Sequence, residues 1–353
     1  MKNNSGNVFD TKLFKRLLKY TTPYQKTFYF VVFAAIMLSV LAVLRPYLLR
    51  LTIDRGIIES DSESLIFYVS SMLVVLIFEV IFQFSFIFYA NWLGQEVIRD
   101  IRVKLFKHMM NFKKQYFDNS SVGRLVTRAV SDIETIASIF SQGLFMIISD
   151  LLKMIVVLGF MFWQSWQLTL LVLTVLPFIL YATRVFQKKM KVAFEEVRTQ
   201  VSNLNSFVQE HLTGMKIVQI FNREQEEYRR FKDINRKHRQ GWIKTVWYNA
   251  IFFPIAEMST SITIGLIVWF GGLQVVESDA LSLGIIVMFI ELSQMLFRPL
   301  RQIADKFNSL QMGMVAANRV FNILDTDSKI ENNGTLVSKK LSGHISFKDV
   351  RFS

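Results

Sequence analysis

Cysteine is absent from the 353 residues, so no disulfide, thiolate chemistry or Cys-ligated zinc is open to the chain, and the redox compartment is left unmarked. Carboxylates are few against cations: 28 Asp+Glu face 41 Lys+Arg, a net charge of +13. In a soluble protein that balance would suggest nucleic acid. Nucleic-acid binding needs a basic stripe on one folded face, whereas these cations sit in alternate connections, so nucleic acid is not among the expected partners. A cleavable leader is not expected either. The first apolar block begins near Phe28, runs uncharged to Leu44 and is followed by no small-residue cleavage site, so a retained span is expected. Proline is scarce too. Pro46, Pro177, Pro254 and Pro299 lie in or at the ends of apolar blocks, where each is expected to kink a helix.

What is present is apolar bulk: 52% of residues are hydrophobic and 33 are Phe, while 20% are charged. The apolar residues therefore collect in blocks near the length of a hydrocarbon crossing, and six recur: 28–49, 65–92, 136–163, 166–182, 246–271 and 281–296. Three connections are short and poor in cations. The other two are long and basic. Residues 94–135 carry Arg99, Arg102, Lys104, Lys107, Lys113, Lys114, Arg124 and Arg128, and residues 183–245 carry about fourteen more. The positive-inside rule puts both in the cytoplasm, and an even number of spans puts the two termini there as well. Both segments lack proline and repeat apolar residues at helical spacing, as in Val97, Ile101, Leu105 and Met109. They read as helical hairpins that carry the spans about 30 Å into the cytoplasm. Turn-forming residues mark the tips at 118–123 and 206–214.

At the N-terminal end, Val8, Phe9, Leu13, Leu17 and Leu18 alternate helically with Lys12, Lys15, Arg16 and Lys19, the pattern of an amphipathic helix in the cytoplasmic interface. After the sixth block comes a further helical stretch to about Leu324. Charged and turn-prone residues then lead to 343–352, where apolar and polar positions alternate as in a first strand. The expected organisation is a cytoplasmic N-terminus with an elbow helix (1–27), a six-span domain (28–324), a linker (325–342) and the start of a second domain (343–353).

Three stretches resemble a known family. Phe117-Asp118-Asn119-Ser120-Ser121-Val122-Gly123-Arg124-Leu125 with Asp132 is similar to the first cytoplasmic loop of bacterial multidrug and lipid ABC exporters. Glu210 to Gly214 with Phe221-Asn222-Arg223-Glu224 is similar to the second, and Ala316-Ala317-Asn318-Arg319-Val320-Phe321 to the segment entering the nucleotide-binding domain. The resemblance implies an all-α membrane protein of the type IV ABC exporter fold: six transmembrane helices and two cytoplasmic hairpins, cut off at the first strand of a nucleotide-binding domain. It also implies a second half-transporter, identical or different, and a bacterial inner-membrane location. ATP and Mg would be bound by the nucleotide-binding domain. No Gly-x-x-x-x-Gly-Lys-Ser/Thr loop occurs in this chain, which alone is not expected to hydrolyse ATP.

By the same resemblance the hairpin tips are coupling helices, built from Gln115, Tyr116, Phe117, Asp118 and Asn119 with Gly123 in the first. Ser206, Phe207, Val208, Gln209, Glu210, His211 and Leu212 with Gly214 build the second. Gly123 and Gly214 are expected to stop these helices in the left-handed region. Carboxylates inside apolar blocks are the substrate-cavity candidates, because a charge there is costly unless it meets a cavity or a partner. Asp150 has Lys153 three residues on, an intrahelical pair. Glu257 and Glu291 fall about 15 Å deep, and with Glu79 they would line a cavity favouring cationic head groups. The alternative for Glu257 and Glu291 is a protonated carboxyl bonded to Ser259, Ser261 or Ser293. The expected activity is export of hydrophobic or amphiphilic compounds by alternating access, or lipid flipping. A proton-driven carrier would have no use for charged hairpins, and a signalling receptor would place its helical extension after the last span.

Overall fold

The computed structural model describes residues 11–278, 281–329 and 343–351; Val8, Phe9, Asp279, linker residues 330–342 and Phe352 lie outside them. Among the described residues the chain is helical, with no strand. In chain order the helices are α1 (Thr11–Lys19), α2 (Gln25–Leu51), α3 (Ser62–Met110), α4 (Lys114–Asp118), α5 (Val122–Thr127) and α6 (Ile133–Ser138). There follow α7 (Phe145–Gln164), α8 (Trp166–Thr213), α9 (Met215–Ile220), α10 (Glu224–Ser278) and α11 (Leu283–Leu324). Three π-helical segments interrupt them: Thr52–Ile58 after α2, then Arg128–Asp132 and Ile139–Leu144 on either side of α6.

Six helices are long and apolar enough to cross a membrane, those containing α2, α3, α7, α8, α10 and the first part of α11. The turns opposite the basic hairpins start their helices with side-chain caps: Asp61 accepts from Glu63 N (3.0 Å), Ser165 from Leu168 N (3.4 Å) and Ser282 from Ile285 N (3.3 Å). Helix α3 has 49 residues. At 1.5 Å per residue it spans about 73 Å, more than twice a hydrocarbon core of about 30 Å. Helices α8 and α10, of 48 and 55 residues, overrun the bilayer likewise. Pro46, Pro177, Pro254 and Pro299 all sit inside helices that continue past them.

Two groups of helices form. Helices α2, α3, α6, α7 and α11 pack around one another, while α8 and α10 run together as a pair that meets the rest through α7 and α11. One apolar core lies where α3, α6 and the C-terminal part of α11 converge (Ile101, Leu105, Ile133, Ile136, Phe140, Ala317, Val320). A second joins α7, α8 and the first part of α11 (Val157, Leu168, Val172, Phe289, Phe297). The third apolar block thus divides. Ile136, Ile139 and Phe140 are fully buried in the first core below the span, and the 20-residue α7 makes the crossing.

Helix α1 packs on the bundle through Leu17, which is fully buried, while Leu13, Phe14 and Leu18 are half-buried; Arg16 donates to both Asp325 oxygens (2.6 and 2.7 Å) while lying 4.3 Å over the Phe321 ring. The guanidinium holds the Asp325 carboxyl below the usual carboxylate range. Residues 343–351 form no strand; Ile345 and Phe347 are exposed, and an alternating segment with no neighbouring strand has no ladder to join.

Candidate functional site

At the first hairpin tip, Gln115, Tyr116, Phe117 and Asp118 lie in the short helix α4, Asn119 caps it, and α5 starts after Ser121. Gly123 stands in the first turn of α5 and not at a helix end, and its φ is not positive. The exit of α11 is tied to this corner: Lys113 N donates to Ser328 O (2.7 Å), and His108 Nε2 lies 3.1 Å from Thr326 O. Movement of the chain beyond α11 is therefore felt directly by the first hairpin.

The second tip is displaced by one element. Residues Ser206 to Leu212 are the last turns of the continuous helix α8, because nothing in them breaks a helix, and the short tip helix is α9, beginning after Gly214. Gly214 has φ −93° and is not left-handed. The left-handed residue is Asn222 (φ 55°), where Arg223 N bonds Val218 O (3.0 Å) and Asn222 N bonds Gln219 O (3.1 Å). These two bonds are the Schellman pattern that ends a helix. Asparagine tolerates this conformation, which was the available signal. Around the tip Leu212, Ile217, Ile220 and Phe221 are all more than 60% exposed. Phe117 and Val122 are exposed at the first. Both tips thus present apolar side chains on elements that overrun the hydrocarbon.

The carboxylates of the spans do not gather in one place. Glu79 on α3 lies 3.9 Å from Arg45 on α2 and within electrostatic reach of Lys153 on α7; its Oε2 is buried and accepts no hydrogen bond. Glu257 is exposed on α10. Glu291 on α11 is half-buried, with one buried oxygen lacking a donor. Ser259 and Ser293 give their hydroxyl hydrogens to the backbone oxygens of Ile255 and Ile290. Asp150 also takes Lys306 of α11 as a partner, a contact between helices in addition to its expected neighbour Lys153. Lys153 sits within electrostatic reach of Glu79, Asp150, Arg45 and Arg298. Four cations (Arg45, Lys153, Arg298, Lys306) and two carboxylates (Glu79, Asp150) therefore meet where α2, α3, α7 and α11 converge. Sequence reading named Lys153 but not Arg45 or Lys306, whose partners Glu79 and Asp150 are on other helices.

At the opposite end the bundle is tied shut. Asp54, in the π-helical segment after α2, accepts from Ser282 Oγ (2.6 Å) and Gly284 N (2.9 Å) at the start of α11, and Arg50 donates to Gln164 at the end of α7 (2.5 Å). A Cβ on Gly284 would lie 2.6 Å from Arg50 O, so only glycine allows this approach. The ends of α2, α7 and α11 away from the hairpins cannot part without breaking these bonds.

Comparison with known proteins fits this architecture. The family model for the ABC transporter transmembrane region matches residues 28–300. The chain is 29% identical over 344 residues to the uncharacterized ABC transporter ATP-binding protein YknV of Bacillus subtilis, covering 96% of this chain and 56% of that protein. It is 28% identical over 360 residues to ATP-dependent lipid A-core flippase 1 of Colwellia psychrerythraea (99% and 58%), and 26% identical over 345 residues to the ATP-dependent lipid A-core flippase of Vibrio cholerae (96% and 58%). It spans a little over half the length of these relatives. Six crossing helices, two hairpins reaching past them and a family match over most of the chain place it in the ABC transporter transmembrane region family.

Proposed function

We propose that the chain is the membrane half of an ATP-driven exporter, working by alternating access in a bacterial inner membrane with both termini in the cytoplasm. The observation that carries this reading is the pair of hairpins whose tips expose apolar side chains outside the hydrocarbon. Such tips fit docking on a nucleotide-binding domain, which binds ATP and Mg; this chain supplies the levers. Val103, Phe106 and Met110 leave a further exposed apolar stripe on the extension of α3. A second half-transporter, identical or different, would cover it.

The substrate is a hydrophobic or amphiphilic compound, and the charge cluster favours the flippase reading over a cationic drug. Four cations against two carboxylates complement an acidic head group, in keeping with the lipid A-core flippases among the relatives. Glu257 and Glu291, outside this cluster, then modulate the preference and do not set it.

Cysteines placed at Phe117 and Ile217 test the docking directly, since the chain has none of its own. In the assembled transporter both should crosslink to the nucleotide-binding domain. Labelling of either by a lipid-phase probe, without a crosslink, would overturn the reading.

A further inference from the structure

Helix α8 leaves its apolar block at Ala182 and then carries Arg184, Lys188, Lys189 and Lys191, all exposed. Among the described residues these four have no ion pair and no side-chain hydrogen bond. On α10, by contrast, Arg230, Arg236, Lys237 and Lys244 each meet a carboxylate. At about 100° per residue Arg184, Lys188 and Lys191 share one face of α8, turned away from the buried Thr183, Met190 and Ala193. Phe186 stacks on Phe252 (centroids 4.0 Å apart) and Phe194 meets Trp242 (6.3 Å), so 186–194 runs antiparallel beside 242–252. Level with the cations, α10 therefore exposes Trp247, Ile251 and Phe253. Of the carboxylates beside this surface, Glu196 is taken by Lys244 (2.8 Å), and Glu195 and Glu257 stand at its two margins.

Direction separates the two helices further. Side chains on a helix lean toward its N-terminus. Helix α8 starts at the Ser165 turn opposite the basic hairpins, so its long cationic stems lean back toward the bilayer, whereas α10 runs the other way and its cations lean off it. Arg184 to Lys191 lie about 3 to 14 Å past Ala182, and the polar head-group layer is about 5 to 7 Å deep. Leaning and snorkelling carry their charges into that layer. Exposed tryptophan at the same level is the mark of a membrane interface.

We propose that this face is a docking site for an acidic phospholipid in the leaflet from which the hairpins emerge. Arg184, Lys188 and Lys191 meet the phosphate, and Trp247, Ile251 and Phe253 meet the apolar body below it. Charge and depth together choose the occupant. A free phosphate gains nothing from the aromatic wall, and a zwitterionic lipid brings no net charge to unpaired cations. The site is built from helices outside the charge cluster of α2, α3, α7 and α11, and it holds whichever compound is carried.

Native mass spectrometry of the assembled transporter in detergent, titrated with phosphatidylglycerol or phosphatidylcholine, reads the affinity. The parent should prefer phosphatidylglycerol. The triple variant Arg184→Gln, Lys188→Gln, Lys191→Gln should bind it about tenfold more weakly or worse, since each cation near a bilayer surface is worth roughly fivefold. A second triple variant, Arg198→Gln, Arg229→Gln, Arg239→Gln, removes the same charge from exposed positions farther along the hairpin and should bind as the parent does. The span cluster is intact in both, so its own binding cancels. Equal loss in the two variants would mean that net charge alone is read, and an unchanged first variant would mean that these cations bind nothing; either sinks the site. Phosphatidylglycerol with a photoactivatable head group, added to the parent protein, should label 181–192 or 246–253, and this arm stands if the first variant folds poorly. Labelling confined to other segments, as when a second half-transporter covers the face, or full competition by inorganic phosphate would overturn the proposal.

Discussion

Replacing Gly313 with alanine should destabilise the bundle by about 3 kcal/mol, the upper end for forcing extra volume into a packed core. The added Cβ would stand 2.2 Å from Ile139 Cγ1 and 3.1 Å from the backbone oxygen of Thr135. Ile139 cannot yield, because it is fully buried and its branched Cβ restricts the first side-chain torsion. Gly143 repeats the arrangement, with its missing Cβ 3.3 Å from Leu310. The two glycines form a close seam between α11 and the π-helical segment 139–144. The measurement is thermal unfolding in detergent of Gly313→Ala, Ile139→Ala and the double variant. The double variant should recover stability relative to Gly313→Ala; if its loss is the sum of the singles, the clash is not the cause.

Lys306→Met should cost about 3 kcal/mol, since it leaves Asp150 half-buried without its partner from α11, and removing one member of a buried pair is expensive. Lys153, one turn from Asp150 and already shared with Glu79, offsets part of that loss. Asp150→Asn combined with Lys306→Met removes the stranded charge and should return most of the stability. Thermal unfolding of the three variants reads the cycle. A single variant as stable as the parent would mean the pair contributes nothing between α7 and α11.

The extent of the fold was legible because membrane crossing is a one-dimensional constraint. Run length located six spans, and the alternation of cations located the hairpins. What stayed hidden depends on neighbours far away in sequence. Lys306 lies 156 positions from Asp150, so only the nearer Lys153 could be read as a partner. Glycine pointed to Gly123 and Gly214 as left-handed helix ends; Gly214 does end α8, but neither is left-handed, and the left-handed residue is Asn222, whose side chain tolerates that region. The second tip helix slid to Met215–Ile220 because composition does not tell the last turn of a long helix from a separate short one. The cation cluster needed the packing of four helices before it existed at all.

The π-helical segments have a consequence for chain length. A π turn holds one residue more than the α-helix it interrupts, and the helices on either side keep their faces as if that residue were not there. In an uninterrupted helix each residue added or lost turns everything beyond it by about 100°, moving a whole face from core to lipid. Helices α3, α8 and α10 have no such slack, and their spacing along 49, 48 and 55 residues is fixed from end to end. Between Val122 and Gln164 the chain holds two places, Arg128–Asp132 and Ile139–Leu144, where a residue can be lost with Lys153 and Asp150 still facing the same neighbours.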